Sequence, residues 1–148
     1  MAERTLIILK PDCIQRALAG EVISRFENKG FRLAGMKLMH IDRRKAELHY
    51  AEHQGKGFYE DMIGFITSSP VVVMALEGDN VIKIAREMAG ATKAEDAKPG
   101  TIRGDFAVHT NRNIVHSSDS PENAKREITI FFSEEEIFSY ARNIDSWI

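Results

Sequence analysis

The segment Arg112-Asn113-Ile114-Val115-His116-Ser117-Ser118-Asp119-Ser120-Pro121 concentrates the reactive residue types of this chain. A histidine closes a short apolar run, several hydroxyls follow it, and Glu127 lies just beyond, on the helix that Ser120-Pro121-Glu122 opens. These are the ingredients of an oriented imidazole: a nucleophile, a relay hydroxyl and a carboxylate. Spacing alone leaves a second reading open, a satisfied structural histidine followed by a plain N-cap. A second constellation, His49-Tyr50-Ala51-Glu52-His53, matches H-x-x-E-H. On a helix this sets two imidazoles four residues apart beside a carboxylate, as inverted zinc metallopeptidases require. That chemistry needs a third ligand and a longer chain to build a cleft, so the motif reads better as a polar helix face with two exposed histidines.

Phosphate chemistry is the other possibility. No G-x-x-x-x-G-K-[ST] loop occurs, nor the glycine loop and catalytic and metal-binding aspartates of protein kinases. A phosphate site must therefore be assembled from side chains. Lys10, Arg86, Lys98, Arg103 and Arg112 all stand near turns, and arginine forks two N–H donors onto phosphate oxygens. Singly, each reads as a solvated charge. Gathered on loops of a rigid scaffold, they form a binding set.

The elements that would position these residues follow from periodicity. Thr5 to Leu9 reads as a strand ended by Lys10-Pro11-Asp12, after which Leu18, Val22 and Phe26 mark an amphipathic helix stopping at Lys29-Gly30. Phe31 to Ile41 reads as a second strand with imperfect alternation. Asp42 caps a helix through about His53, and Phe58 to Ser68 forms another with Met62, Phe65 and Ile66 inward. Val71 to Leu76 is the most continuous apolar run, a central strand buried on both faces. A helix from Val81 to Met88 stops at Gly90, and Ala91 to Asn113 is a long ordered loop. Ile114 to His116 is an edge strand, followed by a helix from Ser120 with Ala124, Ile128, Phe131 and Phe132 inward. The order predicts one α+β domain over residues 1–148, ferredoxin-like, with helices on one face of an antiparallel four-stranded sheet.

Composition limits the function classes. At 148 residues and 16.7 kDa, with 43% hydrophobic and 28% charged residues, the chain is long enough to bury a core without disulfides or structural metal. A single cysteine, Cys13, predicts a reducing compartment. A net charge of -2 offers no global field for nucleic acid or an acidic membrane. The charged N-terminus and the lack of any apolar stretch of about 18 residues predict a cytoplasmic protein with no membrane partner.

Several motifs together resemble one family. Lys10-Pro11-Asp12, Gln15-Arg16, Gly90-Ala91-Thr92, Lys98-Pro99-Gly100-Thr101-Ile102-Arg103-Gly104-Asp105-Phe106 and Asn113 to Ser120 stand in the order and spacing of the nucleoside diphosphate kinases, from about Arg4 to Trp147. The resemblance implies a βαββαβ core and reversible ping-pong transfer of a γ-phosphate between nucleotides through a phosphohistidine. It places the nucleophile at His116, supported by Ser118 and Glu127. Lys10, Arg86, Thr92 and Arg103 would hold phosphates, and Asn113 with Lys10 the sugar hydroxyls. Tyr50 would sit on the histidine side of the pocket. Phe58, otherwise a core aromatic, would cover one face of the base, and stacking of that kind serves purines and pyrimidines alike. Mg2+ is expected on the nucleotide phosphates rather than on protein ligands. The partners implied are nucleoside tri- and diphosphates, with no sequence-specific nucleic acid.

The chain departs from the family pattern at three places. Ser117 and Cys13 replace usual glycines, and Lys56-Gly57 precedes Phe58 where a basic residue and proline are common. These substitutions predict a slightly altered turn at Ser117 and a looser approach to Phe58. The Lys98-Pro99-Gly100 loop and the tail to Ile148 resemble the hexameric branch, implying a trimer of dimers.

Overall fold

The protein is described by a computed structural model covering residues 3–148. Four strands, β1 (Glu3–Leu9), β2 (Arg32–Met39), β3 (Val71–Gly78) and β4 (Val115–Ser117), form one antiparallel sheet in the order β2-β3-β1-β4. The apolar run of β3 is interior, and the three-residue β4 is an edge, as the sequence predicts. The imperfect alternation of β2 has a physical cause. A bulge between Leu33 and Gly35 leaves Ala34 opposite no partner in β3 and reverses the inward phase.

Both faces of the sheet are covered, which corrects the expectation of helices on one face. Ile7, Leu9, Met74 and Leu76 pack against Val22 and Phe26 of α2 (Ala19–Lys29) and Val81, Ala85 and Ala89 of α5 (Val81–Ala89). On the opposite face Leu6, Ile8, Val73 and Ala75 meet Ala46 of α3 (Arg43–His49), Ile63 and Ile66 of α4 (Tyr59–Ile66), and Phe131 of α7 (Pro121–Phe131). Near-continuous apolar strands are what such double burial demands.

Several helices differ from the periodic reading. The first is split: α1 (Pro11–Gln15) ends where Ala17 takes φ +58°, with Leu18 N–H donating to Cys13 and Ala17 N–H to Ile14, the paired bonds of a Schellman turn. Asp42 does cap α3, accepting from Lys45 N–H at 2.8 Å, but the helix stops at His49 and a 3-10 turn covers Ala51–His53. In α4 the buried residues are Tyr59, Ile63 and Ile66; Met62 and Phe65 are half-buried. The long loop contains α6 (Ile102–Phe106), capped by Thr101. Helix α7 begins as expected, with Ser120 Oγ accepting from Asn123 N–H and Pro121 in the first turn. No helix among the described residues is long and apolar enough to cross a membrane.

Gly104 lies inside α6, and a Cβ there would overlap the Lys98 carbonyl and crowd the Thr101 hydroxyl that caps the helix. Gly104→Ala is expected to lower unfolding free energy by about 1–3 kcal/mol in urea titration, the ordinary cost of overpacking. An unchanged midpoint would show that the loop carrying Arg103 is free to shift.

Candidate active site

The site grows from a strained turn at the start of β4. Ile114 has φ +75°, a conformation that a β-branched residue adopts only under constraint. Val115 N–H donates across it to Asn113 O at 2.8 Å, closing a γ-turn. Strain of this kind costs about 1–3 kcal/mol and persists only where the surroundings hold it. Here Ile114 N–H donates to Asp12 Oδ2 at 3.0 Å, and Lys10 N–H donates to Ile114 O at 2.9 Å. Buried Arg103 donates from Nε to Asn113 O at 3.2 Å and from Nη2 to Val115 O, bracketing the turn, while Nη1 reaches Gly90 O at 2.8 Å.

The turn delivers His116, one residue on, opposite Ile8 in the sheet. Its Nε2 lies 3.0 Å from Glu127 Oε1. Ser118 Oγ donates to the same oxygen at 2.6 Å and itself accepts from Leu6 N–H at 3.1 Å. Burial by itself raises the Glu127 carboxyl, but the hydrogen bonds from His116 and Ser118, with Arg126 nearby, outweigh it and hold the group below its ordinary value. An ionised Glu127 accepts only, so the proton between the two residues sits on Nε2 and Nδ1 of a neutral His116 keeps its lone pair.

Cations and polar groups gather on the segment that carries this ring. Lys10 Nζ donates to Asn113 Oδ1 at 2.8 Å, and Asn113 Nδ2 donates to Thr92 O at 3.1 Å. Arg86 Nη1 reaches Ser117 O at 3.3 Å, beside His116. Burial, with Arg103 adding repulsion, brings the Lys10 ammonium down to about 8 despite Asp12, and burial beside Arg86 brings Arg103 down to about 10. Both groups would regain stabilisation from an anion. Tyr50 stacks edge-on against His49 with centroids 4.6 Å apart, and His49 packs the same way on His116 at 4.6 Å. Phe58 is half exposed, its ring 5.6 Å from that of His53, so it is not the core aromatic that its type alone suggests. All ten residues marked from the sequence thus belong to one region or to the aromatic chain leading from it. Arg112 is instead exposed and lies over the Phe65 ring at 4.2 Å, and Lys98 is exposed. The 760 Å³ hollow among Arg4, Arg32, Glu77 and Tyr140 lies elsewhere, and there both arginines are paired with Glu77.

The chain as a whole is similar to known proteins. The family model described as nucleoside diphosphate kinase matches residues 3–137. The chain belongs to the nucleoside diphosphate kinase family. It is 58% identical over 146 residues to the nucleoside diphosphate kinase of Listeria monocytogenes, covering 99% of both chains, and 58% identical to that of Carboxydothermus hydrogenoformans, covering 99% of this chain and 98% of that one. Among solved structures, a halophilic nucleoside diphosphate kinase from Halobacterium salinarum in complex with CDP superposes with a TM-score of 0.97 at 42% identity, over 99% of this chain and 98% of that one. The family is one of phosphotransferases, and the fold is the ferredoxin-like α+β arrangement expected.

Two departures from the family pattern are absorbed locally. Ser117 has no positive φ and sits buried in β4, and Cys13 is buried within α1, where burial raises its thiol to about 12. Three contributors were missed. His49, read as an exposed face, is buried against His116, because the helix ends there and the i,i+4 geometry with His53 is lost. Asp12 and Ile114 supply the turn. Lys-Pro-Asp after a strand was the one signal for Asp12; a positive φ at isoleucine leaves no signal in sequence.

Lys10 gives a pH test. Its charged form, the one that would attract an anion, is lost as pH rises through about 8. In nucleotide-free protein the Nζ signal should titrate near that value by NMR, with nucleotide binding weakening over the same range. A midpoint near 10.5 would contradict the burial and repulsion described.

Proposed function

We propose that this chain is an active nucleoside diphosphate kinase in which His116 carries the phosphoryl group between a nucleoside triphosphate and a nucleoside diphosphate. The observation that carries the reading is the His116 Nε2 contact to Glu127 Oε1 at 3.0 Å, which leaves Nδ1 as the nucleophile. Nδ1 attacks the γ-phosphorus, the bond to the β-γ bridging oxygen breaks, and the nucleoside diphosphate leaves. The second diphosphate then takes the group by the reverse path. Charge appearing on Nδ1 substitution spreads through Nε2–H to Glu127, whose other tie is Ser118.

Lys10 and Arg86, with Thr92, hold the phosphates and stabilise charge on the transferred group. Arg103 adds its positive charge there, with three of its five N–H donors given to backbone carbonyls. Asn113 and Lys10, bonded to each other, meet the sugar hydroxyls. Tyr50 walls the histidine side. Half-exposed Phe58 offers one aromatic face to any base, which supports broad base specificity. Mg2+ bound to the nucleotide would supply charge neutralisation on the phosphates; the cationic groups of this site fit the phosphates, not the metal.

The reading extends to one catalytic domain over residues 1–148, acting in the cytoplasm as a hexamer, a trimer of dimers. What supports assembly is exposed apolar surface: Met36 and Leu38 on the edge strand β2, and Phe138, Trp147 and Ile148 in the tail.

Incubation with ATP and Mg2+ should leave an acid-labile phosphate on the protein. His116→Ala should abolish it, and Glu127→Gln should slow transfer by about 10²-fold or more. Stoichiometric labelling of His116→Ala would end the assignment. Light scattering should give six times the 16.7 kDa chain mass; a monomer mass would exclude the assembly.

A further inference from the structure

The H-x-x-E-H pattern contributes to a ligand cluster, but by a different route from the one its spacing implies. One donor atom from each of His49, His116 and Glu127 lies within 4.8 Å of the other two, the only such trio among the described residues. His49 is 4% exposed, and its Nδ1 has no hydrogen-bond partner. That nitrogen faces Glu127 Oε2 at 3.7 Å. A buried polar atom left unpaired costs free energy, so the cluster holds unused binding capacity. Burial, reinforced by His116, Lys10, Arg126 and His53, keeps the His49 ring neutral, the form that ligates metals.

We propose that His49, His116 and Glu127 form an inhibitory site for a borderline divalent transition ion such as Zn2+, which captures the phosphoryl-carrying histidine of the resting enzyme. The proposal rests on the reading of His116 given above and adds a second ligand class to the same ring. Two imidazoles and a carboxylate suit Zn2+ at about 2.0–2.2 Å. Mg2+ prefers oxygen and retains its waters, so the ion accompanying the nucleotide does not compete. Tetrahedral ligands at those lengths stand about 3.4 Å apart, so the three side chains must draw in by about 1 Å. His116, held through its Nε2 contact and still partly exposed, can make that adjustment.

The inhibition follows from the tautomer. A bond forms between the ion and His116 Nε2, the N–H bond there breaks, and the proton is transferred through solvent to Nδ1 of the same ring. The ring stays neutral, but the lone pair that attacks phosphorus is gone. Glu127 exchanges the Nε2–H donor for the cation, and water completes the coordination. Arg126, 3.9 Å from Glu127 Oε2, and Lys10 oppose the ion and keep the site weaker than a structural zinc centre.

The test uses nucleotide-free protein. Co2+ should bind one ion per chain with the intense visible bands of tetrahedral coordination, and Zn2+ should displace it. His49→Gln and Glu127→Gln should each weaken binding at least tenfold, whereas His53→Gln should leave it intact. In 15N-histidine spectra, Zn2+ should move His116 Nδ1 from the unprotonated to the protonated range. Binding that survives His49→Gln, or bound Zn2+ with Nδ1 still unprotonated, overturns the proposal. Labelling by ATP and Mg2+ in chelator-treated buffer tests the function separately: a chain that labels on His116 but binds no Zn2+ keeps its function and loses this site.

Discussion

The contact between His116 Nε2 and Glu127 Oε1 sets the chemistry of the site, because a neutral imidazole has a single lone pair and the proton's position decides which nitrogen owns it. Glu127 can perform this role only while ionised and fixed. Its ionisation is maintained against burial by hydrogen bonds from His116 and Ser118. Its position is fixed by α7, whose start is set by the Ser120 cap and Pro121 and whose end is anchored by Phe131 in the core. The carboxylate thus reaches back to β4 from the helix that follows it, and neither partner would be oriented without the other.

The second constraint is backbone. The unfavourable φ at Ile114 places His116 at the sheet edge with its ring toward Glu127, and the turn is held by Asp12, Lys10 N–H and Arg103. A hydrogen bond to a charged group is worth about 1.5–3 kcal/mol, so the Asp12 and Arg103 bonds together exceed the cost of the strain. The same residues therefore connect the first turn of the chain, the long loop and the nucleophile's strand. Gly104 and the Thr101 cap matter for this reason: they shape the loop that presents Arg103.

Much of this was legible in the sequence, and the failures have physical causes. Val71 to Leu76 announced an interior strand because burial on both faces removes alternation. Ser120-Pro121-Glu122 announced α7 because capping and proline act locally. The same apolar strand should have implied helices on both faces; the one-face reading followed the order of elements and neglected the pattern within β1 and β3. The break at Ala17 was hidden because alanine carries no turn signal. His49 was misread because its burial is a tertiary fact: spacing assigned it to His53, and the end of α3 gave it to His116. That the residues marked by several motifs in register would lie together was legible in the sequence, while the three hydrogen bonds from Arg103 to backbone carbonyls required the structure.

The central claim concerns one nitrogen, and 15N–31P NMR of the histidine-labelled phosphoenzyme reads it directly. Phosphorus bonded to Nδ1 of His116, with Nε2 still protonated toward Glu127, is the predicted result. Phosphorus on Nε2 would mean that the carboxylate does not fix the tautomer, and the account of the site would be wrong.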